Sequence, residues 1–258
     1  MFVFDYSKHK STPTDNICRP QFRCKGHEAE GYGLSWNPHV EGQLLSGSDD
    51  SLICLWDINQ TGTEVQPMQT RRAHADVVED VDWHRHFPYL FGSVGDDSKL
   101  LMWDVRENTN TPTHTVNQAH AKDVHCLDFN PFNEFLLVTG GSDKVVNLWD
   151  IRNLSQKLHA FEGHNGGVFQ VSWAPFDEKV LASCSSDRRV HVWDLSQIGT
   201  EQTPEDAEDG PPELLFVHGG HTAKVSDFSW NLNDDWVMAS CAEDNILQIW
   251  EMVSHMIH

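Results

Sequence analysis

Five times along the chain a histidine is followed 29 residues later by a tryptophan: His27 and Trp56, His74 and Trp103, His120 and Trp149, His164 and Trp193, His221 and Trp250. The spacing never slips, and the offsets between those anchors recur too. An aromatic stands nine residues after each histidine (Trp36, Trp83, Phe129, Trp173, Trp230) and a hydroxyl nineteen after (Ser46, Ser93, Thr139, Ser183, Ser240). An aspartate stands twenty-three after (Asp50, Asp97, Asp143, Asp187, Asp244), and an acid closes each copy as Asp57, Asp104, Asp150, Asp194 and Glu251. One copy alone, "SGSDDSLICLWD" at 46–57 with His27 upstream, could be taken for a hydrolase's serine, histidine and aspartate. An active site needs one such constellation, so five in register argue for a framework. Self-similarity at a period near 45 residues marks chains that stack one supersecondary unit on the next.

Each copy reads as short strands of alternating apolar residues, such as "VFQVSW" and "RVHVWD", separated by Gly, Ser, Asp and Asn turns. Such a sheet has two apolar faces and must bury both against neighbours. The repeated polar residues can form an internal relay: indole N–H to hydroxyl, hydroxyl to imidazole, imidazole to carboxylate, which satisfies polar groups between strands.

The "GH…WD" arrangement resembles the WD-repeat β-propeller, an all-β fold. The resemblance implies that the copy is offset from the blade. Outer strands then fall within 58–73, 105–119, 151–163 and 195–220, and inner triplets within 28–57, 75–104, 121–150, 165–194 and 222–251, in one propeller domain over 1–258. "FVFDY" at 2–6 resembles the end of an earlier copy, with Phe4 and Asp5 in the Trp and Asp places, and "MVSHMIH" offers no convincing outer strand. The favoured expectation is an incomplete part of a seven-bladed propeller, an open arc whose apolar end faces need a cover. The alternative is a closed five-bladed ring in which a strand around 17–25 completes the last blade.

Composition narrows the partners. The 258 residues carry 39 acidic and 18 basic side chains, a formal net charge of -21, so a basic partner is favoured and duplex nucleic acid is an unfavourable direct ligand. Apolar runs such as "ELLFV" are far too short to cross a bilayer, "MFVFDYSKHK" lacks the length of a signal peptide, and the chain reads as soluble and unsecreted. Six cysteines (Cys18, Cys24, Cys54, Cys126, Cys184, Cys241) without a CxxC pair read as reduced thiols. "HRH" at 84–86 has no nearby Cys or paired carboxylate motif and reads as surface or turn histidines. No phosphate-cradling glycine loop or nucleophile elbow is present, so neither catalysis, a cofactor, a metal nor a small-molecule substrate is expected.

Residues outside the repeat skeleton carry a narrower resemblance. "EGYGLSWNP", "HADVVEDVDWH", the stretch from "DRRVHVWDLSQIGTEQ" through "TPEDAEDGPPELLF" to "HTAKVSDFSWN", and "EDNILQIWE" resemble the retinoblastoma-binding, histone-binding WD-repeat proteins over essentially the whole chain. That family supplies subunits to chromatin assembly, deacetylase, remodelling and Polycomb complexes, which implies core histones and other chromatin-complex subunits as partners, and a nuclear location. The insertion at 200–215 carries Glu205, Asp206, Glu208, Asp209, Pro211, Pro212, Leu214 and Leu215. By composition it is a solvated acidic loop. The resemblance implies one wall of a side groove for a histone helix, completed in the family by an N-terminal helix that is not expected here, because "STPTDNICRP" breaks helices, so half of that groove is missing. A second surface, the top face, collects Glu30, Tyr32, Asp49, Glu79, Asp96, Asp123, His125, Phe169 and Glu243 from turns after each histidine and before each aspartate. A ring of acids with interleaved aromatics suits an extended peptide bearing Arg or Lys, and the resemblance implies a histone tail. Gly167 and Lys224 should weaken it locally. "WDVR" and "WDIR" place Arg106 and Arg152 where some propellers dock on a cullin-ligase adaptor, which gives an alternative role as a ligase substrate receptor.

Overall fold

The computed structural model describes residues 1–8, 12, 15, 17–107 and 109–252. Five antiparallel blades follow one another along the chain. The first is Leu34–Trp36, Gln43–Gly47, Ile53–Asp57 and Gln69–Arg71; the second Val78–Trp83, Leu90–Gly95, Leu100–Asp104 and His114–Val116. The third is Val124–Phe129, Leu136–Gly141, Val145–Asp150 and His159–Glu162; the fourth Val168–Trp173, Val180–Ser185, Val190–Asp194 and Leu214–His218. The fifth has three strands among the described residues, Val225–Trp230, Val237–Ala242 and Leu247–Glu251. Of "MVSHMIH", where no outer strand is expected, residues 253–258 lie outside the described ones, as do several of the stretch 11–20. No described helix is long and apolar enough to cross a membrane.

The core is a series of seams between successive blades. Leu45, Ile53 and Leu55 of the first blade pack on Val78, Val81, Trp83 and Phe91 of the second. The third and fourth seams repeat the pattern, ending with Val190 and Val192 against Val225, Phe228 and Trp230. The third strands of the first four blades are therefore buried on both faces, as in Ile53–Trp56, where a soluble hairpin would alternate. Gly33 lets the first blade's inner strand approach the second, since a Cβ there would lie 2.7 Å from the Asp80 Cα.

At the N-terminal end, Phe2–Val3 pairs antiparallel with Phe22–Cys24, which pairs in parallel with Glu64–Val65. Met1, Val3, Phe22 and Cys24 seat on Leu44, Cys54 and Trp56. This corrects the ring alternative: the strand within 17–25 lies beside the first blade and does not complete the fifth. Among the described residues the two end faces are uncovered. Leu34 and Trp36 are 58% and 50% exposed on the first blade, and Leu247 and Ile249 are 67% and 74% exposed on the fifth. Their equivalents, Val171 and Trp173 or Val190 and Val192, are buried in seams. The blades thus form an open arc.

Candidate functional site

The relay is formed in every blade. Trp56 Nε1–H donates to Ser46 Oγ at 2.8 Å, Ser46 lies 2.7 Å from His27 Nε2, and His27 Nδ1 lies 3.1 Å from Asp50. The corresponding bonds run through Trp103, Ser93, His74 and Asp97, then Trp149, Thr139, His120 and Asp143. They recur through Trp193, Ser183, His164 and Asp187, and through Trp250, Ser240, His221 and Asp244. Each aspartate also accepts the N–H two residues on, as Asp187 does from Arg189 at 3.0 Å. That second bond clamps the residue between them in the left-handed region, at φ 62–74° for Ser51, Ser98, Lys144, Arg188 and Asn245. Burial pushes the Asp187 carboxyl up, but the His164 hydrogen bond and charge and the Asn165 N–H outweigh it and bring the group down to about 2. The relay is thus an ionised, fully bonded scaffold that fixes the turns at one end of the arc.

Those turns carry the site. In the second to fifth blades the first strand breaks register, between Val78 and Asp80, Val124 and Cys126, Val168 and Gln170, and Val225 and Asp227. A bulge leaves one residue unpaired and re-aims its side chain. The four bulged residues are Glu79, His125, Phe169 and Ser226, each five residues after its relay histidine, where the first blade has Tyr32. All five line one cavity of about 700 Å³ at the mouth of the central channel, together with Leu34, Asp80, Gln170, Lys224 and Asp227. Of the residues read from the sequence, Tyr32, Glu79, His125 and Phe169 share this cavity. Ser226, Asp80, Gln170 and Asp227 were missed, although the five-residue offset alone points to Ser226.

Around the mouth the acids are unequal. Burial, then the charge of Asp96, pushes Glu79 up to about 7, so the two carboxyls share a proton near neutrality. Burial lowers His125, which is therefore neutral; its Nε2 lies 2.8 Å from Ser142 Oγ, which reaches Asp123 at 3.1 Å. Glu30 and Asp49 are exposed on the rim. Phe169 was expected to offer its ring to an incoming cation, but His125 stacks on it at 4.9 Å and Lys224 Nζ lies 3.5 Å from its centroid. Lys224 also reaches Glu243 at 3.7 Å, so the chain's own amine already holds that aromatic. Tyr32 is left as the exposed aromatic of the ring. Deeper in the channel, Arg85 lies 3.0 Å from Asp128 and 3.3 Å from Asp82, so the interior acids have an internal counter-charge.

The other predicted residues lie elsewhere. Glu205, Asp206, Glu208 and Asp209 are exposed around a 3-10 turn at Asp206–Glu208, with Pro211 and Pro212 following. Leu214 and Leu215 correct the loop reading. They belong to the fourth blade's outer strand, Leu214 opposite Trp193, and both pack partly buried on the seams, so they are not free apolar contacts. Among the described residues no α-helix faces the insertion. Arg106 and Arg152 are bound to their own repeats: Arg106 reaches Asp104 at 2.5 Å and covers Tyr89, and Arg152 reaches Asp150 at 2.6 Å and covers Phe135. His84 is no surface residue, being 1% exposed.

Two family models match the chain. The WD domain, G-beta repeat, matches residues 18–57 and 212–251, the first and last copies of the repeat. The chain carries WD repeats. A second model, the EIPR1 beta-propeller, matches residues 82–193, from the end of the second blade's first strand to the fourth relay tryptophan. WD-repeat β-propellers are usually non-catalytic scaffolds for protein–protein interaction, and the two matches suggest that class for this chain.

Proposed function

We propose that this WD-repeat chain is a non-catalytic scaffold that binds an extended basic peptide, a histone segment, across the channel mouth, and does so as a subunit of nuclear chromatin complexes. The observation that carries the reading is the ring of bulged side chains: successive blades aim Glu79, His125, Phe169 and Ser226, with Tyr32, into one cavity. The histone identity of the peptide rests on the sequence resemblance, and the acidic rim supports its charge. A guanidinium can bridge Glu79 and Asp96 once their shared proton leaves, because a planar fork of donors matches paired carboxylate oxygens. Asp123, Glu30 and Asp49 would hold the flanking basic residues, and the exposed ring of Tyr32 would cover an alkyl stem or a second cation. The channel depth adds little, since Arg85 compensates its acids. The side insertion supplies exposed carboxylates without the apolar wall a helix would need.

The test is a titration of a fluorescent arginine-containing histone-tail peptide into the purified chain at low and moderate salt. Binding should weaken with salt, because exposed charges are screened beyond a Debye length of about 10 Å at 0.1 M. Charge reversal by Glu79→Lys should weaken it at least tenfold, and Glu243→Lys by less. Failure of a folded chain to bind any such peptide, or equal binding by Glu79→Lys, would refute the reading.

A further inference from the structure

The fourth blade carries a side-chain cluster that the repeat does not call for. Twenty-seven residues after each relay histidine stand Cys54, Leu101, Asn147, His191 and Gln248, each on its blade's third strand. Asn147 there donates to the Ala119 carbonyl at 2.9 Å, and Gln248 donates to the Gly220 carbonyl at 2.9 Å. His191 does nothing of the kind. It is 4% exposed, its Nδ1 is buried with no hydrogen-bond partner, and its ring lies on that of His164 with centroids 3.8 Å apart and planes 9° from parallel. A buried nitrogen left without a partner costs free energy, so its retention calls for a use.

One donor atom each from His164, Asp187 and His191 lies within 4.8 Å of the other two. We propose that these three side chains bind a first-row divalent cation, with Zn²⁺ the best match and water in the fourth position. Two imidazole nitrogens and a carboxylate oxygen form a borderline donor set that suits zinc and disfavours calcium or magnesium, which take oxygen. The supporting shell is in place. Ser183 Oγ lies 2.8 Å from His164 Nε2, and the backbone N–H groups of Asn165 and Arg189 reach Asp187 at 2.8 and 3.0 Å, which orients the ligands. Donors each ~2.1 Å from one tetrahedral zinc lie about 3.4 Å apart, so His164 Nδ1 and Asp187, now 2.9 Å apart, separate by about half an ångström, and the two stacked imidazoles tilt until their ring-plane lone pairs converge on the cation. His164 moves its proton from Nδ1 to Nε2, which then donates to Ser183 Oγ. No proton leaves the protein, and the contact between His164 and Asp187 is replaced by their shared cation.

The experiment takes the whole chain after chelator treatment and measures Zn²⁺ by calorimetry, Co²⁺ by its tetrahedral visible bands, and Tm with and without Zn²⁺. His191→Asn installs the residue the third blade uses at that place, and His191→Gln the residue of the fifth. His125→Gln removes the imidazole of the other three-donor group, Glu79, Asp96 and His125, at the channel mouth. Wild type and His125→Gln should each bind one equivalent at micromolar metal with a zinc-dependent rise in Tm. His191→Asn and His191→Gln should bind at least tenfold more weakly and lose that rise. The proposal is overturned if the wild type binds no equivalent, if the His191 variants bind as tightly, or if the loss follows His125→Gln. Should both His191 variants fail to fold, the Co²⁺ spectrum of the wild type decides, and the absence of tetrahedral bands overturns it.

Discussion

At the residue scale, a side chain is best understood by the bonds it replaces. Ten residues after their relay histidines, Asn37 and Asn130 accept two backbone N–H groups on Oδ1 and donate from Nδ2 to the Pro88 and Glu178 carbonyls of the next blade. His84 occupies the same place in the second blade. Its Nδ1 accepts from His86 and Phe87 at 3.0 and 3.1 Å, and its Nε2–H donates to the Glu134 carbonyl at 2.9 Å. An imidazole thus stands in for a carboxamide, which requires the neutral ring that burial favours. Urea denaturation should find His84→Asn within about 1 kcal/mol of wild type and His84→Ala about 2 kcal/mol less stable, since it orphans buried donors and an acceptor. The relay residues were legible because five copies fix each role; His84 was misread because the copies disagree in residue type while agreeing in bonding. Glu79 brings a pH dependence. Burial and Asp96 raise it from its ordinary 4.5 to about 7, so its contribution to fold stability is full below about 4.5 and is lost as pH rises through 7. Peptide binding runs the other way. With a histidine-free basic peptide, affinity should rise by up to about tenfold between pH 6 and 8 as the second negative charge appears, and Glu79→Gln should flatten that rise.

At the element scale, the bulge decides which residues face the channel mouth. Strict alternation would turn Glu79, His125 and Phe169 into ladder positions, and no periodicity in the sequence marks the break in register. Their shared offset from the relay histidine marks it, because turn and relay are fixed together. The insertion shows the opposite limit. Glu201, Glu205, Asp206, Glu208 and Asp209 are exposed as their composition suggests, but Glu213 is buried against His159, and Leu214 and Leu215 read as loop because two prolines and a run of acids precede them. Backbone pairing with Val190–Asp194 overrides that composition. Leu214→Asp should therefore cost about 1–3 kcal/mol in chemical denaturation by placing a carboxylate against Trp193, whereas Glu208→Lys should stay within about 0.5 kcal/mol.

At the scale of the whole molecule, each seam joins the second- and third-strand face of one blade to the first-strand face of the next, and the arc ends on one of each. Val190 and Val192 sit in a seam where Leu247 and Ile249, fifty-seven residues later, face solvent. Val192→Ser should lower stability by at least about 2 kcal/mol, while Ile249→Ser should change it by less than about 0.5 kcal/mol, both by urea denaturation of the isolated chain. The repeat count was readable from spacing. The pairing of Phe22–Cys24 with Glu64–Val65 was not, because two short strands far apart in sequence carry no pattern of their own. The central claim is that the bulged ring at the channel mouth, rather than the acidic insertion, holds the basic peptide. The most direct measurement places a photo-crosslinking amino acid at Tyr32, Ser226 or Glu205 in turn, irradiates with an arginine-containing histone-tail peptide, and reads the adducts by mass spectrometry. Adducts at positions 32 and 226 with none at 205 are the predicted result; adducts confined to position 205 would contradict it.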